Sequence, residues 1–200
     1  MRISTLSGRI EVTAEQRADV AIDGKAHVDR TERQLTVESI SDNVRLRVPL
    51  GTDVVIGTIS GRIDVSGLVG ALNAVTVSGR VEIDQAASID VRTTSGRVEV
   101  GRISGECCVR TVSGRVEVGE CGAVDVASKS ARIDLRRVHG DVRAHCVSGR
   151  IEITLADPHD VVAETVSGRI EVSLPPGCVP GSDCQVDARS VSGRVQVSER

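Results

Sequence analysis

The sequence predicts an all-β fold, a single-stranded parallel β-solenoid (β-helix) of about eleven stacked coils. Two observations carry this prediction. A motif close to Ser-Gly-Arg-Val-Glu-Val recurs at steps of 17 to 19 residues, and Val and Ile alternate with polar residues inside each recurrence. The chain also contains no Phe, Tyr or Trp. Its interior must therefore be narrow and filled by small aliphatic side chains.

The serine of each Ser-Gly-Arg marks the frame of the repeat. Ser41-Asp42-Asn43 fits the same frame, and a degenerate coil near Asp23-Gly24-Lys25 is expected to fill the space before it. The sequence thus predicts one domain over residues 1–200, with less regular coils in 1–53, regular coils in 54–173, and a final coil in 174–200 that carries a Pro/Gly/Cys loop as an insertion. The marker serines are Ser7, Ser60, Ser78, Ser95, Ser113, Ser148, Ser167 and Ser192, with Ser130-Ala131-Arg132 as a variant.

Alternation within each coil assigns the inward positions, because successive strand side chains point to opposite faces. Apolar or small residues recur two, four and six positions before the marker serine, and three and five positions after it. A shorter third side contributes Leu68, Ala86, Ile103, Cys121, Val138 and Ala156. Three inward-facing sides per coil predict a three-sided prism.

These repeats resemble the bacterial "putative adhesin" family of β-strand-repeat proteins, a domain of unknown function. The likeness lies in VRLRVPLGTDVVIGTISGRIDVSG (44–67), in the repeated TVSGRVEV and in the closing IEVSLPPG, and it covers nearly the whole chain. Many members carry Asp or Asn after the glycine, where this chain has Arg. The resemblance implies a β-solenoid without established catalytic residues, and association with the cell envelope.

Two outward columns carry charge in the regular coils. Adjacent opposite charges favour a ladder that neutralises itself, because arginines stacked alone at strand spacing would repel one another. The alternative interpretation is an anion-binding stripe for polyphosphate, nucleic acid or an acidic glycan. The candidate interaction ladder consists of Arg62, Arg80, Arg97, Arg115, Arg132, Arg150, Arg169, Glu82, Glu99, Glu117, Glu152 and Glu171.

Another outward column directly precedes the marker serine. Thr94 and Lys129 interrupt it, and its other members are apolar. The column is either an exposed apolar strip that a partner could use or a set of residues packed at a corner. Its apolar members are Leu6, Ile59, Val77, Val112, Val147, Val166 and Val191.

The sequence does not assemble the residues that catalysis, a cofactor or a metal would need. No His or Lys recurs beside the serine and threonine columns to activate a hydroxyl nucleophile. Arginine beside each acid lowers carboxylate pKa values and opposes general-acid chemistry. The cluster Asp157-Pro158-His159-Asp160 is interpreted as a turn. The histidines and cysteines lack zinc-ligand spacing, so we expect no enzyme, no cofactor and no bound metal.

The cysteines are expected to be ordinary thiols. Cys107, Cys121 and Cys146 occupy core positions of the repeat and should act as small apolar residues. Cys178 and Cys184 flank the inserted loop, where reduced thiols and a short disulfide both remain open.

Charge and hydropathy bear on partners and location. A net charge of −3 and the absence of aromatics predict no nucleic-acid binding. No signal-peptide pattern and no apolar run of membrane-spanning length is present, so a cytoplasmic location without a membrane span is expected.

We expect a non-enzymatic structural or interaction module that presents its charge-laddered face to a protein or cell-envelope partner. The alternative is a self-assembling, filament-forming solenoid, because Val195 and Val197 occupy core positions near Arg200 and predict association through the C-terminal coil. A carbohydrate-active β-helix enzyme is a distant third interpretation.

Overall fold

Strands form wherever Val and Ile alternate with polar residues, because β-branched side chains pack well on a pleated surface. The computed structural model describes residues 1–25, 27–30, 35–40, 42–178 and 184–199, and every regular element in these ranges is a β-strand. One mostly parallel, 12-stranded sheet results, which confirms the all-β, parallel prediction. The strands are β1 (Arg2–Glu15), β2 (Ala21–Asp23), β3 (His27–Arg30), β4 (Leu35–Ser39), β5 (Val44–Pro49), β6 (Val54–Ile103), β7 (Cys107–Cys121), β8 (Val124–Val138), β9 (Val142–Leu155), β10 (Val161–Leu174), β11 (Val186–Ser190) and β12 (Arg194–Glu199).

Successive repeats pair in parallel with identical positions side by side. Ser113 of β7 pairs with Ser95 of β6 on one side and with Ser130 of β8 on the other. Arg150 of β9 likewise pairs with Arg169 of β10. Each position of the motif therefore forms a column that runs from repeat to repeat.

The inward columns form one continuous aliphatic core. The residues three and five positions after the marker serine are buried from Ile63 to Val172, and Val98 and Val116 are at most 1% exposed. The columns four and six positions before the serine are also buried from Val54 to Ala163. The predicted face assignment of these columns is confirmed.

The third side departs from the prediction at two residues. Leu68 is 45% exposed, and its neighbour Val69 is fully buried in its place. Gly67 adopts a left-handed φ of 76°, which turns the chain and shifts the alternation by one residue. Ala156 was also assigned wrongly to the core column, because Leu155 pairs with Val138 after a register shift.

A column of buried hydroxyls lies two positions before the marker serine. Thr5 Oγ1 donates a hydrogen bond to the Ser7 carbonyl at 2.9 Å, and Thr111 Oγ1 donates to the Ser113 carbonyl at 3.0 Å. Cys146 replaces threonine in this column and donates to the Ser148 carbonyl at 3.1 Å. These side chains thus bind the backbone at the corner, whereas the hydroxyls of Thr58, Thr93 and Ser190 in the same column are buried and make no hydrogen bond to any described residue.

The corner after the marker serine requires a very small residue. Gly114 has φ 129°, and a Cβ added there would lie 1.9 Å from the Gly96 carbonyl oxygen. Such close approach leaves no room for a side chain at Gly114, which explains why glycine recurs at this corner. Ala131 is the one larger residue at the corner in the regular repeats.

The order of the first repeats differs from the expected serial stack. Ser7 pairs directly with Ser60, whereas β1 contacts β4 and β5 along its other edge. The strand β1 therefore lies between β6 and the β4–β5 repeat. The predicted marker Ser41 lies outside the described residues, but Ile10 pairs with Val44, as its frame requires.

The prediction of a parallel coil near Asp23-Gly24-Lys25 was wrong. Ala21–Asp23 runs antiparallel to β5, and His27–Arg30 runs antiparallel to β4. Both strands belong to the segment that joins β1 to β5. These two short strands lie on the outer edge of β4 and β5, so the described part of the segment covers that edge.

The last repeat keeps its register but not its burial. Ile170 pairs with Val195 and Val172 with Val197, so both valines occupy the core columns. They are nevertheless 38% and 42% exposed, because β12 pairs with β10 and with no further strand of the described chain. Residues 179–183 of the inserted loop and Arg200 lie outside the described residues.

Two valines provide a direct test of the core assignment. Val98→Asp should lower the free energy of unfolding by at least about 3 kcal/mol, because it buries an unpaired charge. Val112→Asp should change it by less than about 1 kcal/mol, because Val112 is 42% exposed. Chemical denaturation of the two variants measures the difference, and equal losses would contradict the assignment.

Candidate functional site

The charged residues after each marker serine point outward and pair within their own repeat, since residues i and i+2 of a strand share a face. Arg80 Nη1 lies 3.1 Å from Glu82 Oε1, and Arg150 Nη1 lies 3.0 Å from Glu152 Oε1. Arg97 contacts Glu99 in the same way. The remaining pairs of this kind are Arg62–Asp64 at 2.7 Å, Arg115–Glu117 at 3.2 Å and Arg169–Glu171 at 3.4 Å.

Other pairs join one repeat to the next. Arg62 Nη2 lies 2.5 Å from Glu82 Oε2. Arg97 reaches Glu117, and Arg132 reaches Glu152, both at 3.4 Å. The acids thus bridge arginines of two repeats, so the predicted ladder residues form one charged surface, the Arg–Glu ladder.

The Arg–Glu ladder extends over the reordered N-terminal strands. Glu11 of β1 accepts a hydrogen bond from Arg45 of β5 at 2.7 Å and from Arg9 at 3.1 Å. Arg9 Nε lies 3.4 Å from Asp64 Oδ2 of β6. The ladder therefore follows the spatial order of the strands rather than their order in the sequence.

The ion pairs shift the pKa values of Glu82, Glu11 and Arg62. Hydrogen bonding by Arg62 is the main reason why the pKa of Glu82 lies below its usual 4.5. Arg45 lowers the pKa of Glu11 in the same way. The carboxylate of Glu82, followed by that of Asp64, raises the pKa of Arg62. These acids remain ionised at neutral pH, so they are poor proton donors.

One member of this surface was missed by the sequence analysis. Arg136 lies 3.5 Å from Glu117 Oε2 and 3.7 Å from Asp134 Oδ1. It occupies the motif position that is Gly101 and Gly119 in the two preceding repeats. The other regular repeats carry Ser66, Asp84, Thr154 and Ser173 there. Arg136 is the one arginine at this position between residues 54 and 173, which was the available signal, although it gave no direction for the side chain.

A shallow groove runs beside the ladder where those glycines leave space. Its volume is about 510 Å³, and Arg136 closes part of it. The carboxylates of Glu82, Asp84 and Glu117 line it together with Gly101. Within the described ranges, no three His, Cys, Asp or Glu side chains converge as metal ligands.

The histidines form exposed pairs with acids. His139 Nδ1 lies 2.6 Å from Asp157 Oδ2, and its Nε2 lies 3.4 Å from Glu120 Oε1. His159 Nδ1 lies 3.6 Å from Asp141 Oδ1. The segment 157–160 was interpreted as a turn from its sequence alone. The stacking brings His139 to Asp157 across one repeat, a contact that the sequence analysis missed.

The repeat cysteines are buried as predicted. Desolvation raises the pKa of the Cys107 thiol far above its usual range and that of the Cys121 thiol to about 12. Thiolates are therefore disfavoured at both sites, which opposes nucleophilic or metal-ligating roles. Cys178 and Cys184 are buried at the inserted loop, with their Sγ atoms 2.8 Å apart.

The column before the marker serine is exposed, which decides between its two interpretations. Leu6 is 52% exposed, Ile59 51% and Val77 48%. The later members Val112, Val147, Val166 and Val191 are also exposed. These residues do not pack at the corner.

Comparison with known protein families identifies the family of this chain. The Toastrack DUF4097 family model matches residues 2–200. The chain belongs to this family. The match spans nearly the whole Toastrack chain, which confirms the resemblance to a bacterial adhesin-like domain of unknown function.

One solved structure shares the fold of this chain. A crystal structure of a "putative adhesin" from Parabacteroides merdae has a TM-score of 0.64 and 15% identity, over 100% of this chain and 91% of that one. A second "putative adhesin", from Parabacteroides distasonis, has a TM-score of 0.44 and 13% identity, over 99% and 92% of the two chains. At such identities the first likeness shows the fold alone. No curated protein matches the chain.

The described residues of this Toastrack chain include no helix of the length and hydropathy that crossing a bilayer requires.

The pKa of Glu82 tests the ladder geometry. A carboxylate with a lowered pKa stabilises the fold above its ordinary pKa, and this contribution disappears as pH falls through the folded value. Arg62→Gln should raise the Glu82 pKa towards 4.5, because it removes the main hydrogen-bond donor. Arg92→Gln is the matched control, since Arg92 pairs with Asp90 instead. Side-chain carboxyl NMR titration measures both, and an unchanged Glu82 pKa in Arg62→Gln would contradict the pairing.

Proposed function

We propose that this Toastrack chain is a non-enzymatic interaction module that presents the Arg–Glu ladder to a protein or cell-envelope partner. One observation carries the proposal. The ladder repeats in register on an exposed face, with Arg62, Arg97 and Arg132 each bridged to an acid of the next repeat. A regular pattern of fixed charges of both signs suits recognition of a complementary protein surface.

The pairing of the ladder favours a protein partner over a polyanion. A nucleic acid or polyphosphate would bind unpaired arginines and would be repelled by the acids beside them. Here Glu82 and Glu117 each accept contacts from two or more arginines. A partner with its own alternating charges can contact this face without breaking the ladder pairs.

The state of the reactive groups supports a non-enzymatic role. The Thr5 and Thr111 hydroxyls donate to backbone carbonyls, and burial disfavours the thiolates of Cys107 and Cys121. Arginines hold the Glu82 carboxylate ionised. None of these described groups is an activated nucleophile or a general acid.

We propose an envelope setting for this module, which the description of the Parabacteroides merdae structure as a "putative adhesin" supports. We further infer that each repeat winds as a three-sided coil of a β-solenoid. Three separate buried stretches per repeat support this shape. In the repeat around Ser130 they are Val124 to Ser128, Ile133 to Leu135, and Val138.

Polarity reversal of the ladder tests the proposed function without changing composition or net charge. Two pairs are exchanged, Arg80→Glu with Glu82→Arg and Arg169→Glu with Glu171→Arg. The matched control exchanges the exposed pair Asp187 and Arg189, whose atoms lie 2.6 Å apart on another face. Immobilised protein is exposed to separated envelope and cytosolic fractions, and crosslinked partners are identified by mass spectrometry.

We expect one partner to be retained by the unchanged protein and by the Asp187/Arg189 control, and to be lost from the ladder variant. Circular dichroism checks that all three proteins keep their strands. Loss of the partner from both variants, its retention by both, or capture of no specific partner would contradict the proposal.

A second candidate is a self-assembling filament joined through the C-terminal coil. The strand β12 supports it, because Val195 and Val197 stand in core columns and are 38% and 42% exposed. An open strand edge can pair with another chain. Such an assembly would be open-ended, and Val195→Lys combined with Val197→Pro would remove it in a sedimentation measurement.

A further inference from the structure

An exposed apolar surface lies on the face that precedes the marker serines. Its members are 41% to 73% exposed and come, in spatial order, from the residue directly after β4, from β1 and from the first two repeats of β6. We name this surface the apolar panel, and it consists of Leu6, Ile40, Val55, Ile59, Val75 and Val77.

The interior of the apolar panel carries no charge. The outward positions between its members are Ser4, Gly57 and Asn73. Charges begin at its two borders. Glu38 and Arg2 lie on the β4 and β1 side, whereas Asp90 and Arg92 lie one repeat beyond Val75 and Val77.

Charges interrupt the same columns along the rest of the face, where Val112, Val147, Val162 and Val166 are still 40% to 46% exposed. Arg110, Asp125 and Arg143 follow Asp90 and Arg92, and Lys129 interrupts the column before the marker serines. Unlike these later valines, the members of the panel have no charged residue between them, so the panel has defined borders. Bounded apolar surfaces with polar rims are typical of protein interaction sites.

The area of the panel suits a small interface. Six side chains at these exposures present on the order of 500 Å² of surface, near the upper limit for the largest patch of a monomeric protein. Two such panels packed together would bury about 1,000 Å² in total, which is the lower threshold for a specific protein interface.

We propose that the apolar panel binds the panel of a second copy of this chain. The two sheets pack face to face, and their stacking directions are antiparallel. The two copies are related by a two-fold axis that runs along the strand direction and passes through the repeat of Val55 and Ile59. This axis places Ile59 against Ile59 of the second copy. It also places Leu6 against Val77 of the second copy. Aliphatic side chains on flat, in-register sheets interdigitate in this kind of contact.

The charges at the borders favour this arrangement and a second copy as the occupant. The same axis places Glu38 opposite Arg92 of the second copy. The two residues stand in the same column, and each lies two repeats from the repeat of Val55 and Ile59, on opposite sides of it. It brings Arg2 near Asp90 of the second copy. The rims are thus complementary to each other, as a two-fold interface requires.

Sedimentation velocity over a concentration series up to the high micromolar range tests the proposal. The unchanged protein should form a dimer and no larger species. Ile59→Glu should weaken the dimer at least about tenfold, because it places two carboxylates against each other at the axis. Val166→Glu is the matched control, since Val166 is 46% exposed in the same column outside the panel, and it should leave the dimer unchanged.

A charge exchange tests the orientation and does not depend on the apolar contact. Glu38→Arg and Arg92→Glu should each weaken the dimer, and the double variant should restore it. A monomer at all concentrations, equal effects of Ile59→Glu and Val166→Glu, or failure of the double variant to restore dimers would overturn the proposal. Assemblies larger than a dimer would also overturn the dimer proposal, in favour of the filament, under two conditions. The double variant Val195→Lys with Val197→Pro would have to abolish them, and Ile59→Glu would have to leave them intact.

Discussion

In-register parallel stacking is the constraint on which the rest of this structure depends. Each residue faces the equivalent residue of the next repeat at about 4.8 Å, so a residue type must tolerate contact with itself. Valine and isoleucine meet this condition inside the core, and threonine meets it where its hydroxyl can donate to a corner carbonyl. At Gly114 the condition is strictest, because the neighbouring carbonyl oxygen occupies the space of a side chain. A core without aromatics follows from the same condition.

The same constraint explains the charged surface and links it to function. A column of arginines at strand spacing would be repulsive, and the acids two positions later relieve it within and between repeats. Glu82 illustrates this balance, since Arg80 and Arg62 contact it from its own repeat and from the preceding one. The ladder is therefore a stable, regular pattern that a partner can recognise. The apolar panel differs because the column directly before the marker serines contains no charge from Ile40 to Val112 in the spatial order of the repeats.

The period of the repeat predicts which positions are buried and which point outward, because every repeat places the same position in the same column. The core valines and the outward ladder followed from the frame of the marker serine, whereas the exposure of the apolar column before that serine stayed open until the structure showed it. The structure differs from the predicted burial pattern where one added residue or a crossing segment breaks the period. Leu68 beside Gly67 is an example. The position of β1 between β5 and β6 was not predictable, because Ser7 fits the frame equally well against either neighbour. The period also does not predict which side chains contact the next repeat, as Arg136 contacts Glu117, because such contacts depend on the conformation of the side chain.

Deletion of one complete repeat tests the stacking constraint most directly. Removing residues 96–113 joins Ser95 to Gly114 and preserves every column, whereas removing residues 96–104 shifts all later residues out of register. Circular dichroism with thermal unfolding should give a cooperative β-sheet transition for the first deletion, close to that of the full chain. The second deletion should lose that transition. Equal loss of structure in the two variants would contradict an account in which each repeat is a self-contained stacking unit.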